Sequence, residues 1–425
     1  MRRIGNHCKL HIENGKLQIG AREAGHSVLR TQFSPFSPSP PLPLSRSRFS
    51  ARRGVSLMEV LVSIFIIMFG LLGVAALLPV GRFEIIEAAK RDRAAACGRS
   101  VLRDAKIRRM INPDRWLAFY DNFNPYPGWS GGGPVTPAWM PVSMPENTLQ
   151  HYAAYAIDPL FLARALTENA GLQPTAIARF PFTAPNGTPY MGRCSYVGDP
   201  GTLQALVQAI MSGNQAPVVQ YVSGVPRFDR LFHWQDDQSF DLPTDVQQRP
   251  SRLFDAGGAG QFEGYYSWLI TVAPAVSEAG TLAGNRHLYE VSVVVLFQRD
   301  FSAPTLYFDP DKPPERMVGV TFLGSGWGGG DVVLTKQATD PAGMLDIREN
   351  EWILVGTIQP LGGGFRKVFK WYRVAAIEEQ NPSTPLVRMA TLAGPDWPVT
   401  TLGNAAFGTI CTGVVGVYSQ NMEIE

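Results

Sequence analysis

A single carboxylate stands at the front of a long apolar stretch of this chain. In the segment RRGVSLMEVLVSIFIIMFGLLGVAALLPVG, residues 52–81, Glu59 precedes an uncharged run that ends at Gly81. Placing a charged side chain at the centre of a membrane-spanning helix costs about 2.5 to 3.5 kcal/mol even on a lenient insertion scale, so such residues usually have a function. Glu59 is therefore the strongest candidate for a functional residue in this sequence.

Side chains that bind metals or form disulfides are widely separated. The sequence has four cysteines, without a Cys-x-x-Cys spacing or a Cys/His cluster: Cys8, Cys97, Cys194 and Cys411. This arrangement argues against a zinc site. In an oxidising compartment Cys194 could pair with Cys411, and the alternative is that both are buried free thiols. The isolated His151, His233 and His287 are expected to be structural or surface residues.

The other motifs with chemical potential are weak. The segment DPDKPPE, 309–315, offers Asp309, Asp311 and Glu315 as calcium ligands, but it lacks the EF-hand spacing, and its two prolines favour a surface turn. The glycine-rich GSGWGGGD, 324–331, lacks the Lys-Ser/Thr of a phosphate-binding loop and predicts a mobile hairpin loop. Five tryptophans are expected to pack in the core or in loops rather than to form a stacking surface: Trp116, Trp129, Trp327, Trp352 and Trp371. We expect no catalytic residue, no metal and no cofactor.

Charge is distributed unevenly along the 425 residues. Residues 1–54 carry ten Lys or Arg against two acidic residues, which leaves 28 basic and 34 acidic residues from position 55 onward, a net charge of −6. This later part has no excess of positive charge for binding phosphate backbones, so no nucleic-acid partner is expected. A hydrophobic content of 45% is sufficient for a large folded core.

The apolar run is long enough to cross a membrane. Residues 60–81 comprise 22 positions, or about 33 Å of helix, which matches a hydrocarbon core of about 30 Å. A secretory signal peptide is the alternative, but its apolar region is about 7 to 15 residues long and ends at a small-residue cleavage site. The Ala-rich segment 82–111 continues the helical pattern up to Asn112-Pro113. We predict one helix, residues 55–112, with its transmembrane part at 60–81.

Three residues at the start of this helix resemble the sequence signature of a protein family. Gly54, the apolar Val55 and Glu59 as the fifth residue after the glycine resemble the N-terminal signature of type IV prepilins and of the pseudopilins of type II secretion. The apolar run is most similar to the minor pilins of the type IV pilus modification class. The resemblance covers about residues 52–112. It implies that a prepilin peptidase cuts between Gly54 and Val55 and methylates Val55.

The same resemblance implies a role for Glu59. In a filament the N-terminal helices bundle in an apolar core, where a carboxylate is tolerated only beside a positive partner. The mature α-amino group, with an ordinary pKa of about 7.7 to 8.0, is such a partner. Glu59 of an incoming subunit would meet the N-terminus of its neighbour. The alternative is a carboxylate that favours the positive dipole end of its own helix.

The resemblance also implies partners and a location. The partners would be prepilin peptidase, other pilins or pseudopilins through the N-terminal helix, and the inner membrane. The protein would cross that membrane once, with its C-terminal domain periplasmic or extracellular, and would then enter a pilus or pseudopilus. The leader, 1–54, contains the Pro/Ser/Arg-rich stretch 33–48, which has the composition of a disordered linker. A start codon assigned too far upstream would account for its length.

The remaining chain predicts an α+β fold, with the long N-terminal transmembrane and amphipathic helix followed by a mostly antiparallel β domain with a few short helices. Residues 113–260 are loop-rich, with helices predicted at 157–171 and 200–213. Residues 261–425 form the antiparallel β region, with one hairpin at 353–369. Its strands are predicted at 264–274, 287–301, 316–324, 331–335, 351–359, 366–379, 385–393 and 410–424. In 366–379 neither alternating set of side chains is cleanly apolar, so the inward-facing set stays open.

These patterns favour a non-enzymatic filament subunit. We interpret the chain as a minor pilin or pseudopilin, a structural subunit of a type IV pilus or a type II secretion-like filament. The first alternative is a filament-tip protein for adhesion or substrate binding, because a domain of about 310 residues is large for dense packing along a filament. The second alternative is a membrane-anchored envelope enzyme with an unrecognised site.

Overall fold

The computed structural model describes residues 56–120, 138–142, 154–168, 177–184, 188–234, 238–239, 261–262, 265–275, 288–301, 312–361 and 364–423. Contacts divide the chain into two compact units, Met1–Gly73 and Val74–Glu425. Among the described residues, the first unit contains only the beginning of the long helix. The second contains the rest of that helix and all the strands that the structure describes. The protein is therefore of the α+β class, as predicted.

The long helix α1 runs over Leu57–Ile107, within the predicted span. It ends because Arg109 adopts a left-handed backbone conformation with φ of 51°. The amide of Met110 then donates to the carbonyl of Ala105 at 2.8 Å, and that of Arg109 to the carbonyl of Lys106 at 3.2 Å, which is the pattern of a Schellman cap. The helix thus stops about five residues before the predicted end.

Among the described residues, five short α-helices follow: α2 at Pro159–Glu168, α3 at Pro200–Met211, α4 at Ala216–Val222, α5 at Val225–Phe232 and α6 at Val399–Leu402. The helices α2 and α3 confirm the two predicted helices. The carboxylate of Asp199 caps α3 by accepting a hydrogen bond from the amide of Thr202 at 2.7 Å. The helices α4 and α5 were not predicted.

An eight-stranded sheet, called here the sheet, forms the centre of the second unit. Its order is β16-β9-β8-β3-β5-β1-β2, with β4 also paired to β5. Its strands are β1 at Trp116–Tyr120, β2 at Ala138–Pro141, β3 at Tyr155–Ile157, β4 at Arg179–Phe180, β5 at Met191–Tyr196, β8 at Tyr266–Pro274, β9 at Leu288–Phe297 and β16 at Val414–Glu423. All described pairs in it are antiparallel except β3 with β5. A separate two-stranded ladder joins β6, Gln238–Ser239, to β7, Gln261–Phe262.

Six further strands close into an antiparallel barrel, called here the barrel. They are β10 at Glu315–Phe322, β11 at Gly329–Thr335, β12 at Trp352–Leu361, β13 at Gly364–Ile377, β14 at Val387–Ala393 and β15 at Ala405–Cys411. The order around the barrel is β10-β11-β14-β13-β12-β15, and β15 pairs back with β10. The predicted hairpin is confirmed as β12 and β13, whose last pair is Leu361 with Gly364. Closure into a barrel was not predicted.

One predicted strand is wrong. The segment 410–424 is not one strand, because the chain turns at Thr412-Gly413 between β15 of the barrel and β16 of the sheet. Gly413 has φ of 87°, and a Cβ there would lie 2.7 Å from the carbonyl oxygen of Phe297, so the turn needs glycine. Since β9 and β16 are neighbours in the sheet, the barrel is an insertion between two paired strands.

The sheet is covered on both faces. The second half of α1 packs on one face through Ala94, Cys97, Val101 and Ala105. The barrel packs on the other face through Leu354, Phe369 and Trp371, which join a cluster with sheet residues such as Leu269 and Val294. Along β13, Val368, Tyr372 and Val374 point into the barrel core, while Phe369 and Trp371 point to the sheet. Both sets are buried, which is why alternation could not decide the register.

Candidate functional site

The first turn of α1 carries the predicted assembly residue. The backbone amide of Glu59 donates to the carbonyl of Ser56 at 2.9 Å, and the Glu59 carbonyl accepts from the Ser63 hydroxyl at 2.7 Å. The Glu59 side chain is exposed. The predicted cleavage residues Gly54 and Val55, and with them the predicted methylation site at Val55, lie outside the described residues. The structure therefore places Glu59 but not the peptide bond expected to be cut.

The turns after Glu59 expose a continuous apolar surface. Phe65 is 61% exposed, Ile66 65% and Leu72 70%, and the other large apolar side chains from Leu57 to Leu77 are similarly open. Complete burial of one such side chain is worth about 1.5 to 3 kcal/mol, so this surface strongly favours an apolar environment. Among the described residues, α1 is the one helix with the length and composition to cross a membrane.

The second half of α1 has a different surface. Ala94, Cys97, Val101 and Ala105 recur at helical spacing and are buried against the sheet. Gly98 lies in the same row, where a Cβ would come within 2.1 Å of the Tyr418 ring. Outward positions on this half carry exposed cations instead: Arg91, Arg93, Arg99, Arg103 and Lys106. This half is amphipathic and belongs to the folded core.

A buried group of four charges lies where the sheet meets the barrel. Asp158 follows β3, Arg193 lies on β5, Arg299 follows β9, and Glu315 begins β10. Arg299 donates two hydrogen bonds to the Asp158 carboxylate, at 2.8 and 2.6 Å, and Arg193 donates to Glu315 at 2.6 Å. The Phe161 ring lies under the guanidinium of Arg193 at 3.8 Å. We call this set the ion-pair network.

The electrostatics of the network are balanced. Burial by itself would raise the pKa of Asp158, but Arg299 and Arg193 together hold that pKa below its usual value. The same pairing raises the pKa of Arg299 despite its burial. Two carboxylates therefore face two guanidinium groups. Such a fully paired cluster can hold elements together, but it leaves no group available for acid–base chemistry.

The network includes one of the three carboxylates that were considered as calcium ligands. The carboxylate oxygens of Glu315 accept from Arg193 and, at 3.2 Å, from the amide of Phe182. Both carboxylate oxygens of Glu315 therefore have partners within the protein. Asp309 and Asp311 lie outside the described residues. In the part of the chain that the structure describes, no group of three or more His, Cys, Asp or Glu side chains could hold a metal ion.

The described cysteines are free and buried. Cys194 packs with the α1 side of the sheet, whereas Cys411 packs with the barrel side. A Cys194–Cys411 disulfide is therefore excluded, and the alternative of buried free thiols is confirmed for both. Burial raises the pKa of each thiol, so neither is a reactive thiolate.

The other histidine and tryptophan predictions have mixed outcomes. His233 is buried at the end of α5, where its ring lies 3.0 Å from the Asp229 carbonyl, so its structural role is confirmed. Trp116 and Trp371 are core residues, as expected. Trp327 is not packed but is 70% exposed in the β10–β11 hairpin. His151, His287 and Trp129 lie outside the described residues.

Sequence reasoning missed the residues that join the sheet and the barrel. Arg193 and Arg299 are separated by more than a hundred positions and belong to no motif, so only the fold brings them together. Asp158 stands directly before Pro159, the first residue of α2, which is the sequence pattern of a helix cap, and the Phe161 amide lies 3.4 Å from its carboxylate. Its pairing with two arginines could not be read from that signal.

Comparison of the chain with models of known protein families gives no match, and comparison with curated proteins gives none either. The functional interpretation therefore depends on the residues themselves and on the geometry described above.

Proposed function

We propose that this protein is a minor pilin or pseudopilin, a structural subunit of a type IV pilus or a type II secretion-like filament. It is anchored in the inner membrane by residues 60–81 before assembly, with the domain that follows α1 on the periplasmic side. The observation that supports this most directly is the division of α1. Its first half exposes apolar side chains on all sides, while its second half is packed against a folded sheet.

This division suits a subunit that changes its surroundings. Before assembly, lipid covers the apolar surface of residues 57–77. In a filament, the helices of neighbouring subunits replace the lipid, so the surface stays out of water in both states. The second half of α1, which packs against the sheet, connects the folded domain to the apolar first half. An anchor alone would explain the apolar surface but would not require a carboxylate at Glu59.

Processing after Gly54 prepares the assembly contact. Cleavage by prepilin peptidase makes Val55 the N-terminal residue, and methylation leaves the charge of its amino group in place. The Glu59 carboxylate of one subunit then pairs with this ammonium group of a neighbour. The pair sets the axial position of each new subunit and removes the cost of burying either charge alone.

The test is the size of the protein in cells with and without prepilin peptidase. Removal of residues 1–54 leaves 425 − 54 = 371 residues, a difference that electrophoresis resolves. We expect the shorter form only in cells with the peptidase, with Val55 as the N-terminal residue carrying a methyl group by mass spectrometry. Gly54→Leu should block cutting, and Gly54→Ala is the matched control that retains a small side chain. One size in both cell types would overturn the proposal.

A filament-tip protein for adhesion or substrate binding is the second candidate. The observation that favours it is the barrel, which is inserted between β9 and β16 and adds a second folded layer to the sheet. Such a layer enlarges the subunit on the side away from α1 and hinders dense packing along a shaft. Immunogold labelling of the barrel separates the two candidates, because a tip protein marks filament ends and a shaft subunit marks their length.

A further inference from the structure

The strand β16 lies at one end of the strand order of the sheet and is paired on one side only. Its partner is β9. In the part of the chain that the structure describes, no backbone hydrogen bond joins residues 414–423 to any element other than β9. Ser419, Gln420, Asn421 and Glu423 are exposed. This edge therefore presents backbone groups with which a further strand can pair.

The pairing of β9 shows which backbone groups of β16 point outward. Leu288, the first residue of β9, accepts a hydrogen bond from the Ala275 amide beyond the end of β8, at 3.0 Å. Even-numbered residues of β9 thus face β8 and odd-numbered ones face β16, because backbone direction alternates along a strand. Odd-numbered residues of β9 pair with even-numbered residues of β16. The amides and carbonyls that point to the open edge are therefore those of Val417, Ser419 and Asn421.

The opposite edge of the sheet is protected, whereas the exposed end of β16 is not. The edge strand β2 has only four residues and ends at Pro141, and its Trp139 amide donates to the Gln215 side chain at 3.1 Å. Short length, proline, lysine and bulges are the usual means of blocking an edge. The ten residues of β16 include no Lys, Arg or Pro. Its irregularity lies at its start, between Val414 and Gly416.

A groove of about 350 Å³ lies beside the exposed end of β16. It is lined by residues 105, 106, 111 and 112 at the end of α1 and by residues 420–423 of β16. An added strand presents alternate side chains to each face of the sheet. Those on the face that α1 covers would lie next to this groove.

The surface of α1 beside β16 is positively charged. Lys106 donates to the Gln420 side chain at 3.2 Å. Burial and the neighbouring Cys97 raise the pKa of the Tyr418 hydroxyl while Arg99 lowers it, so the Arg99 guanidinium lies near that ring. Both cations are exposed. Carboxylates on an added strand would therefore be attracted to this surface, and lysine or arginine side chains would be repelled.

We propose that the open edge of β16 binds an extended segment of a partner protein as an additional strand, with acidic side chains on the face next to α1. Hydrogen bonds to the backbone of Val417, Ser419 and Asn421 supply the affinity, and Arg99 and Lys106 select acidic segments. A second copy of β16 fits this surface less well, because its ten residues carry one carboxylate. The binding surface does not depend on the filament function proposed above.

The test of charge uses the full-length protein in a zwitterionic detergent and two fluorescent peptides, TEVETEVET and TKVKTKVKT. Fluorescence anisotropy measures their binding. We expect the acidic peptide to bind about tenfold or more tightly than the basic one. Lys106→Glu should weaken binding of the acidic peptide and strengthen that of the basic peptide. Lys106→Gln, which removes the charge without reversing it, should have an intermediate effect.

The test of backbone pairing uses the variant Asn421→Pro. Proline removes one outward amide and leaves the hydrogen bonds to β9 in place, so we expect the acidic peptide to bind about tenfold or more weakly. Asn421→Ser is the matched control, because it keeps the amide and should bind as the wild-type protein does. Methylation of alternate peptide amides should abolish binding for one set and be tolerated for the other, since only one set faces β16.

Four results would overturn the proposal. The first is no binding of TEVETEVET to the wild-type protein. The second is equal binding by Asn421→Pro, with its unfolding midpoint unchanged. The third is equal binding of the two methylated peptides, which would mean that the contact does not use strand pairing. The fourth is a dimer of the wild-type protein that Asn421→Pro dissociates, because a second copy would then occupy the edge.

Discussion

The two halves of α1 share one backbone but have opposite surfaces. From Leu57 to Leu77 the large side chains are exposed, whereas Ala94, Val101 and Ala105 are buried against the sheet. The first half uses large apolar residues on every side, and the second uses small ones on a single face. A helix that must be covered by something outside its own domain needs apolar residues all round, and a helix that packs on its own sheet needs one narrow face.

Under the proposed function, this difference separates filament assembly from folding. Substitutions in the first half should change membrane anchoring and filament entry while leaving the folded domain unaffected. Substitutions on the buried face of the second half should change the free energy of unfolding of the domain. Four predictions follow from it, in order of decreasing expected effect.

Glu59→Val tests the first half and should have the largest effect. Removing the carboxylate makes the apolar segment easier to insert, by about 2.5 kcal/mol or more if Glu59 lies deep in lipid. In a filament, however, the neighbour's ammonium group would be buried without its partner, at a cost of about 3 to 5 kcal/mol. We expect processed protein in the membrane at normal levels, almost none in sheared filaments, and an unchanged unfolding midpoint.

Glu84→Val is the control, because Glu84 is an exposed carboxylate of the same helix beyond the apolar run. It should leave filament entry close to that of the wild-type protein. Normal amounts of Glu59→Val in sheared filaments would rule out the pairing mechanism. Glu59 would then be a residue that favours the helix start.

The length and regularity of a segment determined whether the sequence could predict it. Strong periodic or β-branched segments were predicted correctly, including α1 and the strands β8 at Tyr266–Pro274 and β13 at Gly364–Ile377. The strands β1 to β5 were missed, since they have only two to six residues each and show no alternation. A strand as short as β3 exists because its neighbours β5 and β8 pair with it.

Closure of the barrel and the ion-pair network depend on distant parts of the chain. The barrel closes because β10 pairs with β15, from Glu315 with Cys411 to Thr321 with Ala405, and no local pattern specifies that register. The network needs Asp158 and Glu315 at the same junction, which only the completed fold provides. Glu59 was predicted as a functional residue because the pattern that identifies it consists of neighbouring residues in the sequence. The exposure of Trp327 was not predicted, because burial depends on the finished surface.

Asp158→Asn tests the folded unit alone and should be the next largest effect. The amide keeps the shape of the side chain but leaves Arg299 buried beside a neutral partner, at a cost of about 3 to 5 kcal/mol in unfolding free energy. Asp199→Asn is the control, because Asp199 is exposed and asparagine caps a helix as well as aspartate does. We expect a large drop in the denaturation midpoint for Asp158→Asn only, with membrane anchoring unchanged.

The pH dependence of the wild-type protein gives an independent test of the same pair. The pKa of Asp158 is lower in the folded protein than the unfolded value of about 3.9, so the unfolded chain takes up the proton first. The stability from this carboxylate is complete above about pH 4 and is lost as the pH falls through the folded pKa. Asp158→Asn should remove this part of the acid-induced loss. An unchanged acid transition in the variant would contradict the assigned role.

The test with the smallest expected effects places one substitution in each half of α1. Gly98→Ala puts a Cβ where the Tyr418 ring now lies 2.1 Å away, so ring or helix must shift, with an expected cost of about 1 to 3 kcal/mol in unfolding free energy. Gly73→Ala meets nothing within 4 Å and should instead favour the helix by about 0.5 to 1 kcal/mol. Chemical denaturation of the full-length protein in detergent measures the first, and helicity by circular dichroism in the same detergent measures the second. If Gly98→Ala unfolds at the wild-type midpoint, the second half of α1 is not part of the folded core, and the two halves no longer differ in the way described.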